Sequence, residues 1–308
     1  MKKLNVAVIG VGYLGRFHAQ KYAAMEDVEL VAVADIDEKR AAEIAREVDS
    51  SPYSQVAGLM DTLDAVSIAV PTTSHARVAI PFLENGISVL LEKPISAEIP
   101  EAKAIIDAAR QGNALLQIGH LERFNPALLK LQDDIHHPMF IEGHRISPFK
   151  QRGIDVDVIT DIMIHDIDII LALVKSPIAS VEAIGVPVLT DDVDIANARV
   201  RFESGCIANL TASRVSADVM RKIRIFQSNA YISIDFAKAA VDIYTLADNK
   251  QISHNHLAMS ESDALAAEIR SFIDCVKNNS PVMVDGPAGL RAIEVAHTIK
   301  DAMFVHKR

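Results

Sequence analysis

Short apolar runs along the first 118 residues alternate with segments in which apolar side chains recur at helical spacing. The runs at 6–9 and 28–34 are rich in β-branched residues, which is typical of buried parallel strands. Strands that alternate with helices in this way predict a doubly wound parallel sheet, the Rossmann form of the α/β class. The predicted elements are strands 6–9, 28–34, 65–70, 87–91 and 114–118 and helices 17–25, 37–48, 75–85 and 97–111, with a connecting segment at 50–61.

Beyond residue 119 the pattern changes to strand-like runs that are separated by Gly, Asp, Asn and Ser turns rather than by helices. This pattern predicts an α+β domain with a large open, mostly antiparallel sheet. Ser260 and Asp263 indicate a capping box at the start of a helix to Val276, and Pro287 lies in the first turn of a last helix to about residue 305. The strand-like runs are 140–146, 178–188, 195–202, 206–213, 223–227, 231–235 and 241–246, and two further helices are predicted at 125–136 and 158–174.

These patterns predict two domains, 1–120 and 121–308, and the last helix at about 287–305 could pack back on the first domain. A broad sheet with few helices leaves one face uncovered. Such faces are commonly buried between subunits, so we expect a homodimer or homotetramer that forms through the open sheet.

A glycine pattern joins the first predicted strand to the following helix: Gly10, Gly12 and Gly15 form G-x-G-x-x-G. The first glycine permits a tight turn, the second lets the backbone approach a pyrophosphate, and the third lets the helix pack close to the strand. Asp35 ends the second strand, about 20 residues further on, where a carboxylate binds the ribose hydroxyls of a dinucleotide. That carboxylate would repel the 2′-phosphate of NADP, and no arginine follows until Arg40, so we expect NAD as the cofactor.

The composition excludes several classes of partner. A formal net charge of −10 argues against nucleic acid and against an anionic membrane surface, and no apolar run reaches the roughly 18 residues of a membrane span. Cys206 and Cys275 have no metal-ligand spacing and are expected to be reduced core thiols. The sequence runs directly into a strand, without the pattern of a signal peptide, so we expect a cytoplasmic protein.

Polar residues also follow the strand at 65–70. Pro71 fixes the turn, and Thr72 and His75 could reach the nicotinamide ribose or the phosphates, because ligands of such sheets lie beyond the carboxyl ends of the strands. The alternative is that Thr73 or Ser74 caps a helix and that His75 is merely a residue of its first turn.

Glu92 and Lys93 directly follow the strand at 87–91. An ammonium group at the same edge as the cofactor can orient a hydroxyl and stabilise developing oxyanion charge. A solvated Glu–Lys pair at a strand end is the structural alternative.

A third group of polar residues, Asp161, His165 and Asp168, has the spacing i, i+4 and i+7 that places side chains on one face of a helix. The rest of the segment is apolar, so this polar face is costly unless it is satisfied or functional. A histidine with a carboxylate one turn away can act as a general base. The alternatives are a structural core histidine or a metal site, and the metal site is disfavoured because one histidine among scattered aspartates matches no ligand spacing.

The glycine pattern, Glu92-Lys93-Pro94 and D-x-x-x-H-x-x-D at 161–168 together resemble the glucose–fructose oxidoreductase / inositol dehydrogenase family, also called Gfo/Idh/MocA, over essentially the whole chain. The resemblance implies oxidation of a secondary sugar alcohol with NAD. It implies that Lys93 and His165 are the catalytic pair, with Asp161 beside them. Met163 departs from the family, which often has glycine there, and this change could reshape the substrate side of the pocket.

The segments at 120–126 and 147–153 are similar to those of the family's UDP-N-acetylglucosamine 3-dehydrogenases. Arg123, Lys150 and Arg152 could cluster against a diphosphate, although ordinary loop charge is an equal alternative. A free inositol or aldose as substrate, and a non-catalytic NAD-binding regulator, are the other functions that stay open. The expected cofactor contacts are Gly10, Gly12, Tyr13, Leu14, Gly15, Asp35, Pro71, Thr72, His75, Glu92 and Lys93, and the expected substrate contacts are Arg123, Phe124, Lys150, Arg152, Asp161, His165 and Asp168.

Overall fold

A computed structural model describes residues 3–55, 58, 60–131, 134–149, 157–246, 251–258 and 263–305. The chain forms two compact units. The first comprises Met1–Leu121 and Asp263–Leu290, and the second comprises Glu122–Ser262 and Arg291–Arg308.

The helices and strands follow one another along the chain and are numbered in that order. They are β1 (Leu4–Ile9), α1 (Tyr13–Ala23), β2 (Val28–Ala34), α2 (Glu38–Glu47), β3 (Ser51–Tyr53), β4 (Ala65–Ile68), α3 (His75–Glu84), β5 (Ser88–Glu92), α4 (Ile99–Gln111), β6 (Leu116–Gly119), α5 (Pro126–Leu131), β7 (Phe140–Ile146), α6 (Ile164–Val174), β8 (Ile178–Val186), β9 (Ile195–Phe202), β10 (Ile207–Ser213), β11 (Met220–Gln227), β12 (Ala230–Asp235), β13 (Ala240–Leu246), β14 (Ile252–Ala258), α7 (Ala264–Asn278), α8 (Gly286–Asp301) and β15 (Met303–Val305).

In the first unit the described strands form a six-stranded parallel sheet in the order β3-β2-β1-β4-β5-β6. The predicted Rossmann sheet is therefore confirmed. The strand order reverses between β1 and β4, and the crevice beyond the carboxyl ends of these two strands is where such sheets bind dinucleotides. Strands β1, β2, β4, β5 and β6 are largely buried, which explains their apolar runs, whereas the edge strand β3 is exposed.

The segment 263–290 belongs to the first unit, although the sequence pattern assigns it to the second domain. The reason is the apolar stripe of α7. Its Ile269, Phe272 and Ile273 pack in one core cluster with Tyr22 of α1 and Leu90 of β5. The predicted capping box is also corrected, because Asp263 is itself the N-cap and accepts a hydrogen bond from Ala266 N at 3.0 Å, whereas Ser260 lies outside the described residues.

In the second unit the described strands form a nine-stranded mixed sheet in the order β14-β13-β12-β11-β7-β10-β9-β8-β15. Most neighbours are antiparallel, and the pairs β7–β10 and β8–β15 are parallel. The predicted large, mostly antiparallel sheet is confirmed. Its side chains alternate, so that Ile141 and Arg145 of β7 are buried while Phe140, Glu142 and His144 face the opposite, partly exposed side.

Four differences from the predicted elements stand out in the second unit. The helix predicted at 158–174 is a π-helical turn, Ile159–Met163, followed by α6. The helix predicted at 125–136 is shortened to α5. Strands β14 and β15 are absent from the prediction. Most of β14 is exposed, and its sequence Ser-His-Asn-His has no apolar alternation. Residues 303–305 of β15 continue the apolar spacing of the preceding helix. In the part of the chain that the structure describes, no helix combines the length and the hydropathy that crossing a bilayer requires.

Candidate active site

The turn between β1 and α1 has the backbone geometry of a phosphate-binding loop. Gly10 has a φ of +84°, and a Cβ there would lie 2.7 Å from the carbonyl oxygen of Ala69. A Cβ on Gly15 would collide with the carbonyl of Gly10. A Cβ on Gly12, in contrast, would meet no described atom within 4 Å. The turn is therefore packed against the protein at Gly10 and Gly15 and open above Gly12. The open space above Gly12 forms a cradle that a pyrophosphate fits.

The start of α1 adds to this cradle. Gly12 provides no side-chain cap, so no side chain of this residue competes with an anion for the N–H groups of the first helical turn. The side chains of Tyr13 and Leu14 are exposed, and their predicted role in cofactor binding stays a prediction. These observations fit a bound dinucleotide, which would supply a nicotinamide ring as the hydride acceptor.

Asp35 lies at the carboxyl end of β2 and connects that strand to the glycine turn. Its side chain is 8% exposed, and it accepts hydrogen bonds from Val11 N and Asp37 N, both at 3.0 Å. The guanidinium of Arg40 lies 3.8 Å from Asp35 and 3.6 Å from Asp37. The acid is thus held in a fixed orientation beside the loop, and the charge of the nearby arginine is offset by two carboxylates.

Lys93 follows β5 and is flanked by buried contacts. Glu92, the residue before it, has its Oε1 atom 3.0 Å from Nε2 of His18, a fully buried residue of α1. Burial raises the pKa of Glu92, but the hydrogen bond and charge of His18 and the charges of Lys93 and His75 outweigh it and lower the pKa overall. Glu92 is therefore a carboxylate, held by His18 directly before Lys93.

His75 is the first residue of α3. The side chain is 1% exposed, and its ring nitrogens face backbone carbonyls: Nδ1 lies 2.9 Å from Pro94 O, and Nε2 lies 3.1 Å from Val70 O. Burial lowers the pKa of His75 more than these carbonyls raise it. His75 therefore connects the turn after β4 to the turn after Lys93, and its predicted contact with the cofactor stays a prediction.

Pro71 and Thr72 lie in the turn after β4, where a short 3-10 helix, Thr72–Ser74, precedes α3. Ser74 is the N-cap of α3 but makes no side-chain capping bond. The capping alternative for Ser74 is therefore not seen, and the predicted cofactor contacts of Pro71 and Thr72 stay predictions.

In the second unit, Asp161 lies in the π-helical turn and His165 in the first turn of α6. Asp157 fixes the start of this segment, because its carboxylate accepts hydrogen bonds from the backbone N–H groups of Ile159 and Thr160 at 2.9 and 3.0 Å. A π-helical turn holds more residues than an α-helical turn, so it interrupts the α-helical face on which the i, i+4 spacing would place Asp161 and His165. Such turns are frequent at functional sites.

Arg123 and Asp168 form an ion pair in the second unit, with 3.4 Å between Arg123 Nη1 and Asp168 Oδ1. Asp168 is 3% exposed and orients Arg123 through this pair. The side chain of Phe124 is 2% exposed and packs in the core. The predicted substrate contacts of Asp168 and Phe124 stay predictions. Lys150 and Arg152 lie outside the described residues.

Sequence reasoning missed a buried ion cluster under α6. Arg145 of β7 donates to Asp166 Oδ1 at 2.7 and 3.0 Å and to Glu122 Oε1 at 2.7 Å. Burial alone lowers the pKa of Arg145, but the charges of Asp166 and Glu122 raise it overall, so the guanidinium stays charged. The sequence does carry a signal for this cluster, because Arg145 lies four positions after Ile141 in β7 and therefore on the same, buried face of the strand.

Each unit contributes residue types that hydride-transfer enzymes use: the first has a dinucleotide cradle and a lysine directly after β5, and the second has Asp161 and His165. Among the described residues, no group of three His, Cys, Asp or Glu side chains is arranged to hold a metal ion. Known proteins of similar sequence agree with this class. A model described as an oxidoreductase family with an NAD-binding Rossmann fold matches residues 4–120, and the GFO/IDH/MocA C-terminal domain matches residues 101–233.

The chain belongs to the GFO/IDH/MocA family of NAD-binding oxidoreductases, because a curated relative of that type matches it over nearly its whole length. That relative is the UDP-N-acetylglucosamine 3-dehydrogenase of Acidithiobacillus ferrooxidans, 39% identical over 98% of both chains. Its solved structure covers 98% of both chains with a TM-score of 0.93. The scyllo-inositol 2-dehydrogenase (NAD(+)) of Bacillus subtilis is 26% identical over 92% of this chain and 89% of its own.

Proposed function

We propose that this chain oxidises the 3-hydroxyl of UDP-N-acetylglucosamine to a 3-keto sugar nucleotide, with NAD as the hydride acceptor. The observation that carries this proposal is the 39% identity to a UDP-N-acetylglucosamine 3-dehydrogenase over 98% of both chains. Lys93, Asp161 and His165 supply the side chains that the reaction needs. The product is a precursor for an amino sugar of lipid A or of a surface polysaccharide.

Three side chains carry the proton chemistry. His165 takes the proton of the reacting hydroxyl as general base, and Asp161 stabilises the imidazolium that forms. The ammonium of Lys93 holds the same oxygen and stabilises its developing negative charge. The hydrogen bond of Glu92 to His18 fixes the strand end before Lys93, and the contact of His75 with Pro94 O fixes the turn after it.

The substrate is tested by a screen of sugars at fixed NAD, with absorbance of the reduced cofactor as the readout. UDP-N-acetylglucosamine is expected to reduce NAD, and Arg123→Gln is expected to raise its KM by about tenfold, because an arginine contact to a phosphate is worth about 1.5 kcal/mol or more. Arg199→Gln, on β9, is the matched control. Reduction of NAD by a free inositol or aldose alone, with no effect of Arg123→Gln, would contradict the proposal.

A dehydrogenase of a free inositol is the second candidate. Two observations favour it: the 26% identity to scyllo-inositol 2-dehydrogenase, and the Asp168 carboxylate, which offsets the charge of Arg123. The same screen distinguishes the two functions.

Preference for NAD over NADP follows from Asp35, whose carboxylate would repel a 2′-phosphate. We expect Asp35→Asn to lower the ratio of kcat/KM for NAD over kcat/KM for NADP by about tenfold or more. The reason is that removing one charge–charge repulsion changes the binding free energy by about 1.4 kcal/mol or more. Asp37→Asn is the control, because Asp37 also faces Arg40 and asparagine keeps its helix cap. An unchanged ratio in Asp35→Asn would assign the preference to another residue.

We also infer that the partly exposed face of the nine-stranded sheet joins two copies of this chain. A row of rings crosses this face from β7 to β14, with Phe226 stacked on Tyr231 at 5.0 Å between centroids and Tyr231 on Tyr244 at 5.5 Å. Tyr231→Lys is expected to shift the mass in light scattering to that of a monomer, while Lys103→Glu on α4 leaves it unchanged. A wild-type monomer would contradict this inference.

We infer that the reaction takes place in the cytoplasm. Both cysteines, Cys206 and Cys275, are free and buried in the structure, as the sequence predicts, and free thiols persist in a reducing compartment.

A further inference from the structure

A cluster of buried polar side chains lies in the first unit behind Lys93. It comprises His18 of α1, Glu92 of β5, Gln117 of β6 and Glu268 of α7, and three of these, His18, Gln117 and Glu268, are 0% exposed. Gln117 Nε2 lies 3.4 Å from the backbone oxygen of Glu268. Glu92 extends over Gly119, where a Cβ would lie 3.2 Å from Glu92 Oε2, so the missing side chain makes room for this carboxylate.

Glu268 is the unusual member of this cluster. Within the described residues, neither of its carboxylate oxygens has a hydrogen-bond partner. An ionised carboxylate that is buried without a donor is strongly destabilising, and the usual outcome is that the group binds a proton. Burial and the nearby charge of Glu92 both raise the pKa of Glu268 well above its ordinary value.

The hydrogen-bond inventory of the cluster leads to the same protonation state. Because Glu92 is ionised and only accepts, the Nε2 atom of His18 carries a proton and donates it to this carboxylate, which leaves His18 no second proton on that nitrogen for Glu268. Among the residues that the structure describes, the buried Gln117 Oε1 has no donor. A proton on Glu268 supplies a donor of the kind that this acceptor lacks.

We propose that Glu268 is a buried, protonated carboxylic acid that acts as a positioning residue for Lys93 through Glu92. With Glu268 neutral, the cluster holds a single negative charge, which lies on Glu92 beside Lys93. An ionised Glu268 would add a second carboxylate to the cluster and disfavour the charge of Glu92, and with it the hydrogen bond to His18 that holds the end of β5 directly before Lys93. The link to Lys93 rests on the proposed function, whereas the protonation of Glu268 does not.

The groups that face this cluster come from each element that surrounds it. His18 and Tyr22 lie on α1, and Tyr22 donates to or accepts from Ser67 of β4 at 2.7 Å. Glu92 ends β5, and Lys93 follows it directly. Gln117 lies on β6, and His75 is the first residue of α3 and is one of the groups that influence the pKa of Glu92. None of these described groups is an arginine, so no guanidinium among them stabilises an ionised Glu268.

Infrared spectroscopy tests the protonation directly. At pH 7 the wild-type chain is expected to show the carbonyl band of a protonated carboxylic acid, shifted in heavy water. Glu268→Gln should lose this band, whereas Glu92→Gln and the exposed Asp274→Asn on α7 should keep it. Absence of the band from the wild type, or its persistence in Glu268→Gln, would overturn the proposal.

The pH dependence of the melting temperature is the second test. A carboxyl whose pKa is raised by folding contributes stability that is fully present below its unfolded pKa, about 4.3, and is lost as pH rises toward the folded pKa. Glutamine does not titrate, so the Tm of Glu268→Gln minus that of the wild type should grow as pH rises above about 5. A difference that stays constant or falls with pH would contradict a protonated Glu268.

Turnover of UDP-N-acetylglucosamine with NAD tests the positioning role. Glu268→Ala is expected to lower kcat by about tenfold, with KM for NAD changed less than about twofold, and Glu268→Gln to restore most of the loss because it keeps a neutral donor. Full kcat in Glu268→Ala would overturn the positioning role. An inactive wild type would instead overturn the proposed function, while the infrared and melting experiments, which need no substrate, would still decide the state of Glu268.

Discussion

Lys93→Met and His165→Ala should each lower turnover by about 10²-fold or more, while the affinity for NAD stays within a few-fold of the wild type. The reason is that neither side chain belongs to the glycine turn that cradles the dinucleotide. Each is needed when the hydroxyl proton leaves and negative charge develops on its oxygen. The measurement is kcat from NADH absorbance, with NAD affinity measured separately by calorimetry.

Two exposed residues provide controls for this experiment. Lys103→Met on α4 and His136→Ala remove the same chemical groups at positions away from the proposed chemistry, and both are expected to keep full turnover. Full turnover in Lys93→Met or His165→Ala would remove that residue from the mechanism. A loss of NAD binding in either variant would assign it to cofactor binding instead.

Arg145→Met is expected to lower the free energy of unfolding of the second unit by about 3–5 kcal/mol, because it leaves Asp166 buried without its cation. Asp166 is 2% exposed, and its Oδ1 atom accepts two hydrogen bonds from the guanidinium of Arg145. The measurement is urea unfolding of the full chain followed by circular dichroism.

Arg224→Met is the matched control, because Arg224 also pairs with a carboxylate on the same sheet, Glu142 at 3.1 Å, but its side chain is 37% exposed. An exposed pair of this kind contributes about 1 kcal/mol or less. The double variant Arg145→Met, Asp166→Leu should recover much of the loss, since it removes the buried charge as well. Equal decreases in the free energy of unfolding in Arg145→Met and Arg224→Met would show that the buried cluster contributes no more stability than the exposed pair.

Local patterns predict some elements of this chain well, whereas others depend on tertiary contacts. Strands with clear alternation, such as Phe140–Ile146 and Ile195–Phe202, are predicted at their observed bounds. The π-helical turn at Ile159–Met163 is not, because its apolar residues look the same in an α-helix. His75 follows a strand as a ligand would, and only the positions of the Val70 and Pro94 carbonyls reveal that it also connects two turns.

Glu268 illustrates a signal that the sequence carries but that pattern reading overlooks. It stands within the apolar stripe of α7, three residues after Leu265 and next to Ile269, so the helical period alone places a carboxyl among core residues. The helical period does not reveal which residue lies next to Glu268, because its neighbour Gln117 is 151 positions away in the chain. Polar residues on apolar faces are therefore detectable in sequence, but their partners are not.

The return of segment 263–290 to the first unit has a consequence for the order in which the protein is made. Phe272 and Ile273 complete the core around Tyr22, so the amino-terminal unit lacks part of its interior until nearly 290 residues have left the ribosome. Strands β7 to β14 of the second unit are synthesised before this segment, and β15, the last strand of the same sheet, is synthesised after it. Each unit therefore needs residues near the end of the chain, so we expect both to complete their folding only when synthesis is almost finished.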